Sequence, residues 1–275
     1  IAMRVIDPHV HIWVRDPAYP WAPETTRPPT FDATPEMLLD LMAANGVERT
    51  VLVQPIQYRW DNRYVADALR RYREQFMGVC RVNPEDPAAP DHLSHWVEEA
   101  GFRGVRLSPA VDAAGDWFTG PLMDPLFARA EALGVPMLIL TRPPRLGDLA
   151  ALLERHPDLD VCVDHMADAH PGAPDEVQAL LALARYPRVY VKISHTWSIS
   201  QEEYPWRDTW GLVRQVYEAF GAQRIMFSTD WPVSLARTTY GRTIRVVRDE
   251  MDFWAAGDLE WVMGRTALRL WPFAT

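Results

Sequence analysis

A (β/α)8 barrel in a single domain spanning residues 1–275 is the architecture this sequence predicts, on three observations. Eight short apolar runs, rich in β-branched residues, recur along the chain. Parallel strands buried on both faces read this way. An amphipathic stretch separates each run from the next, the alternation that surrounds a parallel sheet with helices. No Gly-x-Gly-x-x-Gly follows the first run, which weighs against a doubly wound dinucleotide-binding sheet. With 275 residues, 48% of them hydrophobic, the chain has the material for one large core.

The first strand, 4–10, runs into His9-Val10-His11. The segment 14–34 behind it is rich in proline and aromatic residues and is expected to be an irregular loop. Helix 35–44 opens on Pro35, whose missing N–H costs nothing in a first turn, and ends at Gly46. Strand 50–55 leads to helix 62–74, and strand 76–82 to helix 90–100, with Gly101 behind it. Strand 104–107 precedes helix 121–133, which Gly134 closes. Strand 136–140 precedes helix 146–155, and strand 160–164 precedes helix 174–185, opened by Pro174. Strand 189–193 precedes helix 206–220, closed by Gly221. Strand 224–228 is the eighth, and helices 238–253 and 259–270 complete the chain. Glycine after a helix predicts termination in the left-handed conformation. Cys80 and Cys162 fall inside strands and read as small core residues rather than disulfide partners.

Charge narrows the function. Lys+Arg is 28 and Asp+Glu 37, a net charge of −9. Without a basic run, such a chain is a poor binder of nucleic acid or anionic membranes. No stretch reads as a secretory leader, and none approaches the roughly 18–20 apolar residues of a membrane helix. The expected location is the cytoplasm. The expected partners are a small-molecule substrate and, at most, further copies of the chain in a homo-oligomer. Twelve tryptophans, many in loops, suit both a planar-substrate pocket and ordinary packing.

In a barrel the carboxyl ends of the strands converge on one pocket. Here those ends carry His9 and His11, then Gln54 with Tyr58 beyond it, then Arg106. Thr141 and Arg142, Asp164 and His165, Lys192 with Ser194 and His195, and finally Ser228, Thr229 and Asp230 follow. Side chains alternate along a strand, so His9 and His11 point to the same side. Buried polar groups cost kilocalories unless paired, so packing alone does not explain this accumulation. Arg106 and Arg142 suit bidentate binding of a substrate carboxylate; Arg106 suits a barrel carboxylate equally well. Lys192, the only lysine in the chain, could form a Schiff base, although a strand lysine more often neutralises acidic neighbours. His195 reads as a substrate contact or a solvated loop residue. His92, His95, His156 and His170 read as surface residues.

Taken together, Ile6-Asp7 before His9-Val10-His11, Tyr19-Pro20-Trp21, Asp164-His165-Met166 and Ser228-Thr229-Asp230-Trp231-Pro232 resemble the amidohydrolase-related (amidohydrolase 2) metal-dependent hydrolases. The Tyr-Pro-Trp and Thr-Asp-Trp-Pro elements are most similar to the L-fuconolactonase-like and 2-pyrone-4,6-dicarboxylate lactonase-like branch. The resemblance extends to Gly264-Arg265-Thr266-Ala267. It implies a site at the carboxyl face, Asp230 as the base that activates water, and His9, His11 and His165 around the attacked carbonyl. It leaves two arrangements open: one divalent metal, zinc, on His9, His11 and Asp230 with His165 as a further ligand, or a metal-free site like that of some lactonases in this branch. Relatives often add a histidine or modified lysine at the end of strand four or five. Here those strands end in Leu107-Ser108 and Leu140-Thr141, so a two-metal site is not expected. Arg106, Arg142, Gln54, Tyr58, His195 and Trp21 complete the expected substrate contacts. The function so implied is opening of a small, carboxylated lactone; the rival is metal-dependent decarboxylation of an aromatic or unsaturated acid.

Overall fold

The computed structural model describes residues 3–108 and 117–273. Among them, eight parallel strands follow one another: β1 (Ile6–Val10), β2 (Arg49–Val53), β3 (Phe76–Val79), β4 (Val105–Leu107), β5 (Met137–Ile139), β6 (Val161–Val163), β7 (Val189–Lys192) and β8 (Ile225–Met226). They form a three-stranded sheet, β1-β2-β3, and a five-stranded sheet, β4 to β8 in order. Two parallel bridges, Cys80 to Val105 and Val10 to Trp231, join the sheets at both edges and carry the order round a ring.

Helices lie between the strands: α1 (Pro35–Asn45), α2 (Arg63–Arg71), α3 (Ala89–Glu98), α4 (Met123–Leu133), α5 (Leu146–Arg155), α6 (Pro174–Leu181), α7 (Thr196–Ile199) and α8 (Trp210–Phe220). After β8 come α9 (Tyr240–Arg245), α10 (Asp258–Glu260) and α11 (Thr266–Leu270). The Thr34 hydroxyl caps α1 by accepting from the Met37 amide at 3.3 Å, with Pro35 in the first turn as expected. Gly46 and Gly134 end α1 and α4 left-handed, at φ 69° and 65°.

The departures have local causes. Strand 224–228 shortens to two residues because the Phe227 amide leaves the ladder and donates to the Val262 carbonyl at 3.1 Å. Helix 206–220 starts only at Trp210, since Trp206 has a left-handed backbone, φ 56°. The helices expected over 238–253 and 259–270 are interrupted by wider π-helical turns at Val246–Glu250 and Trp261–Arg265. Gly221 has positive φ but an extended ψ of 154°, so it ends α8 without a left-handed turn. His156 is not a surface group: its ring packs on Phe127 and its Nε2 meets Asp124 at 2.8 Å.

One apolar cluster fills the space between strands and helices. A second lies inside the ring, where inward residues such as Ile6, Val51, Val79, Leu138, Cys162 and Met226 meet Trp271 and Phe273. Fully burying one such side chain contributes about 1.5–3 kcal/mol. The Trp271 indole donates to the Arg103 carbonyl at 2.9 Å, just ahead of β4. The chain's last described segment therefore stoppers the amino-terminal end of the ring, and the opposite end carries the polar groups. Both cysteines are buried and unpaired. No helix among the described residues is long and apolar enough to cross a membrane.

Candidate active site

β1 delivers the first two imidazoles. Its register against β2 shifts between Asp7 and Val10, an irregularity of the kind that re-aims side chains. His9 and His11 end with their Nε2 atoms 3.3 Å apart. The His11 Nδ1–H donates to the Val53 carbonyl at the end of β2, 2.7 Å away. A carbonyl can only accept, so Nε2 of neutral His11 carries a bare lone pair.

The segment after β8 supplies the carboxylate. The Asp230 amide donates to the His9 carbonyl at 3.0 Å, and the His11 amide donates to the Trp231 carbonyl at 2.7 Å. This short ladder sets Asp230 against both rings, in a left-handed backbone with φ 51°. Its Oδ1 lies 3.2 Å from His11 Nε2 and 3.6 Å from His9 Nε2, is buried, and has no hydrogen-bond partner. Its Oδ2 accepts from His195 Nε2 at 2.7 Å.

His165 and His195 stack in parallel, centroids 3.6 Å apart and planes within 3°. His165 Nδ1 meets the Ser194 hydroxyl at 2.7 Å. His195 Nδ1 donates to Asp168 at 3.0 Å, and the other oxygen of Asp168 holds Arg142 at 2.6 Å. His165, Met166, Ala167 and Asp168 all have φ between 49° and 55°. Each left-handed non-glycine residue costs about 1–2 kcal/mol, and such strain gathers at functional sites.

A layer of buried charge lies beneath the imidazoles. Asp164 Oδ1 is 3.0 Å from Lys192 Nζ and 3.3 Å from His9 Nδ1, and its Oδ2 accepts from Arg106 Nε at 3.1 Å. Lys192 Nζ also stands 2.9 Å from His9 Nδ1 and 5.7 Å from the centre of the Trp271 ring. Burial, with Lys192 beside it, holds His9 well below the ordinary histidine range, and burial with His195 does the same for His165. Burial opposes ionisation of Asp230, yet His165, His11 and His195 around it outweigh that and keep the carboxyl well below its ordinary value. Burial also opposes charge on His195, but its two carboxylate partners raise it to about 9.

The donor set fits a metal ion. His9, His165 and Asp230 each offer a ligand atom within 4.8 Å of the others. His9 Nε2, His11 Nε2 and Asp230 Oδ1 form a triangle with edges of 3.3, 3.2 and 3.6 Å. Tetrahedral zinc at about 2.0–2.1 Å from its ligands separates them by about 3.3–3.4 Å. The orphaned Asp230 Oδ1 at one corner of the triangle gains the partner it lacks.

The family model for amidohydrolases matches residues 6–273. The chain belongs to the amidohydrolase family. This amidohydrolase is 31% identical over 243 residues to an L-fucono-1,5-lactonase of Burkholderia ambifaria, an alignment covering 86% of this chain and 83% of the lactonase. It is 27% identical to a 4-sulfomuconolactone hydrolase of Hydrogenophaga intermedia, over 83% of this chain and 74% of that one. It is 24% identical to a gamma-resorcylate decarboxylase of a Rhizobium species, over 70% of this chain and 75% of that one. A solved structure from Pseudomonas putida, assigned as a 2-pyrone-4,6-dicarboxylic acid hydrolase, superposes with a TM-score of 0.84 at 24% identity, covering 100% of both chains. That likeness bears on the fold, a barrel of the family type.

The remaining expected residues of this amidohydrolase are distributed differently. Arg106 gives its Nε–H to Asp164 at 3.1 Å, the internal pairing that its place on β4 allowed. Arg142 is 56% exposed and reaches the imidazoles only through Asp168. Tyr58 stacks on Trp21 with centroids 4.8 Å apart, and its hydroxyl bonds both backbone groups of Val14 at 2.9 Å. Gln54 donates to the Arg59 and Asp61 carbonyls at 3.2 and 2.8 Å. These three fasten the loops over the ring. Sequence reasoning missed Asp168, and it passed over Arg81, which is buried just beyond β3 and bonds the Gln54 carbonyl and the Ser108 hydroxyl. The end of the third strand was the signal for Arg81; Asp168 had none. A cavity of about 550 Å³ lined by Arg70, Arg73 and Arg103 lies at the other end of the strands, away from these histidines.

Proposed function

We propose that this amidohydrolase opens a small, carboxylated lactone by water attack. One observation carries the reading: a buried carboxylate with one oxygen clamped by His195 and the other unpaired and facing His9 and His11. The names of two relatives, an L-fucono-1,5-lactonase and a 4-sulfomuconolactone hydrolase, support it.

In the proposed reaction, Asp230 Oδ1 takes a proton from a water as its oxygen bonds the lactone carbonyl carbon. The carbonyl oxygen gains charge, which N–H groups of His9 and His165 stabilise. When the tetrahedral centre collapses, the ring C–O bond breaks and Asp230 returns its proton to the departing oxygen, leaving a hydroxy acid. The same carboxylate thus acts as general base and then as general acid. Holding the substrate falls to Arg142, whose remaining N–H groups suit a carboxylate, with Arg106, Gln54, Tyr58, His195 and Trp21 shaping the pocket. A divalent ion, zinc, held by His9, His11 and Asp230 with His165 beside them, would supply Lewis-acid polarisation of the carbonyl.

The gamma-resorcylate decarboxylase relative defines the contest. A pH-stat assay of lactones, run beside a carbon dioxide assay of aromatic acids, each with and without chelator, separates the two. Acid release from a lactone, with a measurable fraction surviving exhaustive chelation, is the expected result. Carbon dioxide release abolished by chelator, with no lactone opened, hands the reaction to decarboxylation.

A further inference from the structure

We propose that Lys192 fixes His9 in the tautomer that carries its proton on Nε2, making His9 a hydrogen-bond donor to the reacting oxygen and setting proton and metal in competition for that nitrogen.

His11 Nδ1 is committed as a donor to the Val53 carbonyl at 2.7 Å, so His11 Nε2 can only accept. Its neighbour at 3.3 Å is His9 Nε2, which makes a hydrogen bond only if it bears the proton. At the other edge of the His9 ring, Nδ1 faces Lys192 Nζ at 2.9 Å and Asp164 Oδ1 at 3.3 Å. A lysine ammonium has three N–H donors and no acceptor, so the closer contact makes His9 Nδ1 an acceptor. Both ends of the ring therefore ask for the same tautomer. The direction of donation runs from Lys192 through His9 and His11 to the Val53 carbonyl. Lys192 cannot swing away: it is fully buried, tied to Asp164 at 3.0 Å and seated over Trp271.

Two consequences separate this role from mere neutralisation of Asp164. His9 Nε2–H points at the cluster as a donor without any cation, and Lys192 acts through His9 as a positioning residue. A metal, in contrast, needs that nitrogen bare, with the His9 proton turned to Nδ1 and toward Asp164. Lys192 opposes that arrangement. The catalytic consequence rests on the lactonase reading, whereas the tautomer and the competition do not.

The first test uses the metal-free, substrate-free wild-type protein. Long-range nitrogen–proton NMR of the imidazoles, with His9 assigned by its loss in His9→Gln, should place the His9 proton on Nε2 and the His11 proton on Nδ1. A His9 proton on Nδ1 overturns the proposal, whether or not any lactone is opened. The second test is Lys192→Met. Its His9 proton should move to Nδ1, and zinc affinity, measured by competition with a chromophoric chelator, should rise at least about tenfold, the scale on which outer partners of metal-binding histidines act. An unchanged tautomer, or unchanged zinc affinity, overturns it. If Lys192→Met does not fold, the wild-type spectrum decides alone. A protein that shows the expected tautomer but opens no lactone refutes the proposed reaction and not the role of Lys192.

Discussion

The two oxygens of Asp230 live in different surroundings, and each makes a prediction. Oδ1 has no donor, so replacing the carboxylate by an amide removes a base without breaking a bond at that oxygen. Asp230→Asn should lower lactone turnover by about 10²–10⁴, the usual worth of a general base, in a protein that still unfolds in one cooperative thermal transition. Near wild-type turnover would remove Asp230 from the mechanism. Oδ2 belongs to His195, which is raised from 6.5 to about 9 between its two carboxylates. The folded chain thus holds that proton more tightly than the unfolded one. The stability it contributes is complete below about pH 6.5 and is lost as pH rises through about 9. In the metal-free protein, the melting temperature of wild type relative to His195→Gln should fall across that window. A constant difference between the two curves would show that the imidazolium adds nothing.

Among the elements, the π-helical turn Trp261–Arg265 shows how closely the last helices sit on the ring. A Cβ on Gly264 would stand 2.4 Å from the Arg4 carbonyl oxygen, two residues ahead of β1. Backbone cannot yield as a side-chain tip can, so Gly264→Ala should cost roughly 1–3 kcal/mol, the range for overpacking, in urea-induced unfolding. A wild-type midpoint would mean that the helix shifts freely. Strand ends were legible in the sequence because His9, Asp164, Lys192 and Asp230 each interrupt or end an apolar run where packing alone would favour another Val or Ile. The Asp164–Asp168 turn was not. It contains no glycine, yet four successive residues are left-handed, a conformation that local sterics penalise and only surrounding contacts can hold. Asp168, aimed by that turn, therefore looked like any loop carboxylate. The closing helices were read as continuous because a 3.6-residue pattern does not reveal where the backbone widens.

At the scale of the molecule, the ring is not uniformly stitched. The seam between β3 and β4 is laced by three backbone bonds, from the Arg103, Cys80 and Arg106 amides at 2.8, 3.0 and 2.8 Å, whereas the seam between β1 and the segment after β8 rests on the two from Asp230 and His11 at 3.0 and 2.7 Å. The second seam carries His9, His11 and Asp230. Local opening draws on the least-bonded regions, so the amides of His11 and Asp230 should exchange with deuterium sooner than those of Leu52 or Cys162 in the middle of the sheets. Equal protection would mean that the ring opens only as a unit. The polar groups of the site thus sit on the seam with fewer backbone bonds, and contacts among side chains help to close it.

Lys192 has a practical consequence of another kind. The only lysine of the chain lies wholly inside the ring, so the folded surface offers no side-chain amine. Reagents that acylate amines should leave Lys192 untouched in the native protein and mark it only after the barrel has come apart. The rate of that single mark, read by mass spectrometry, becomes a clock for opening of the native state, with no engineered probe required.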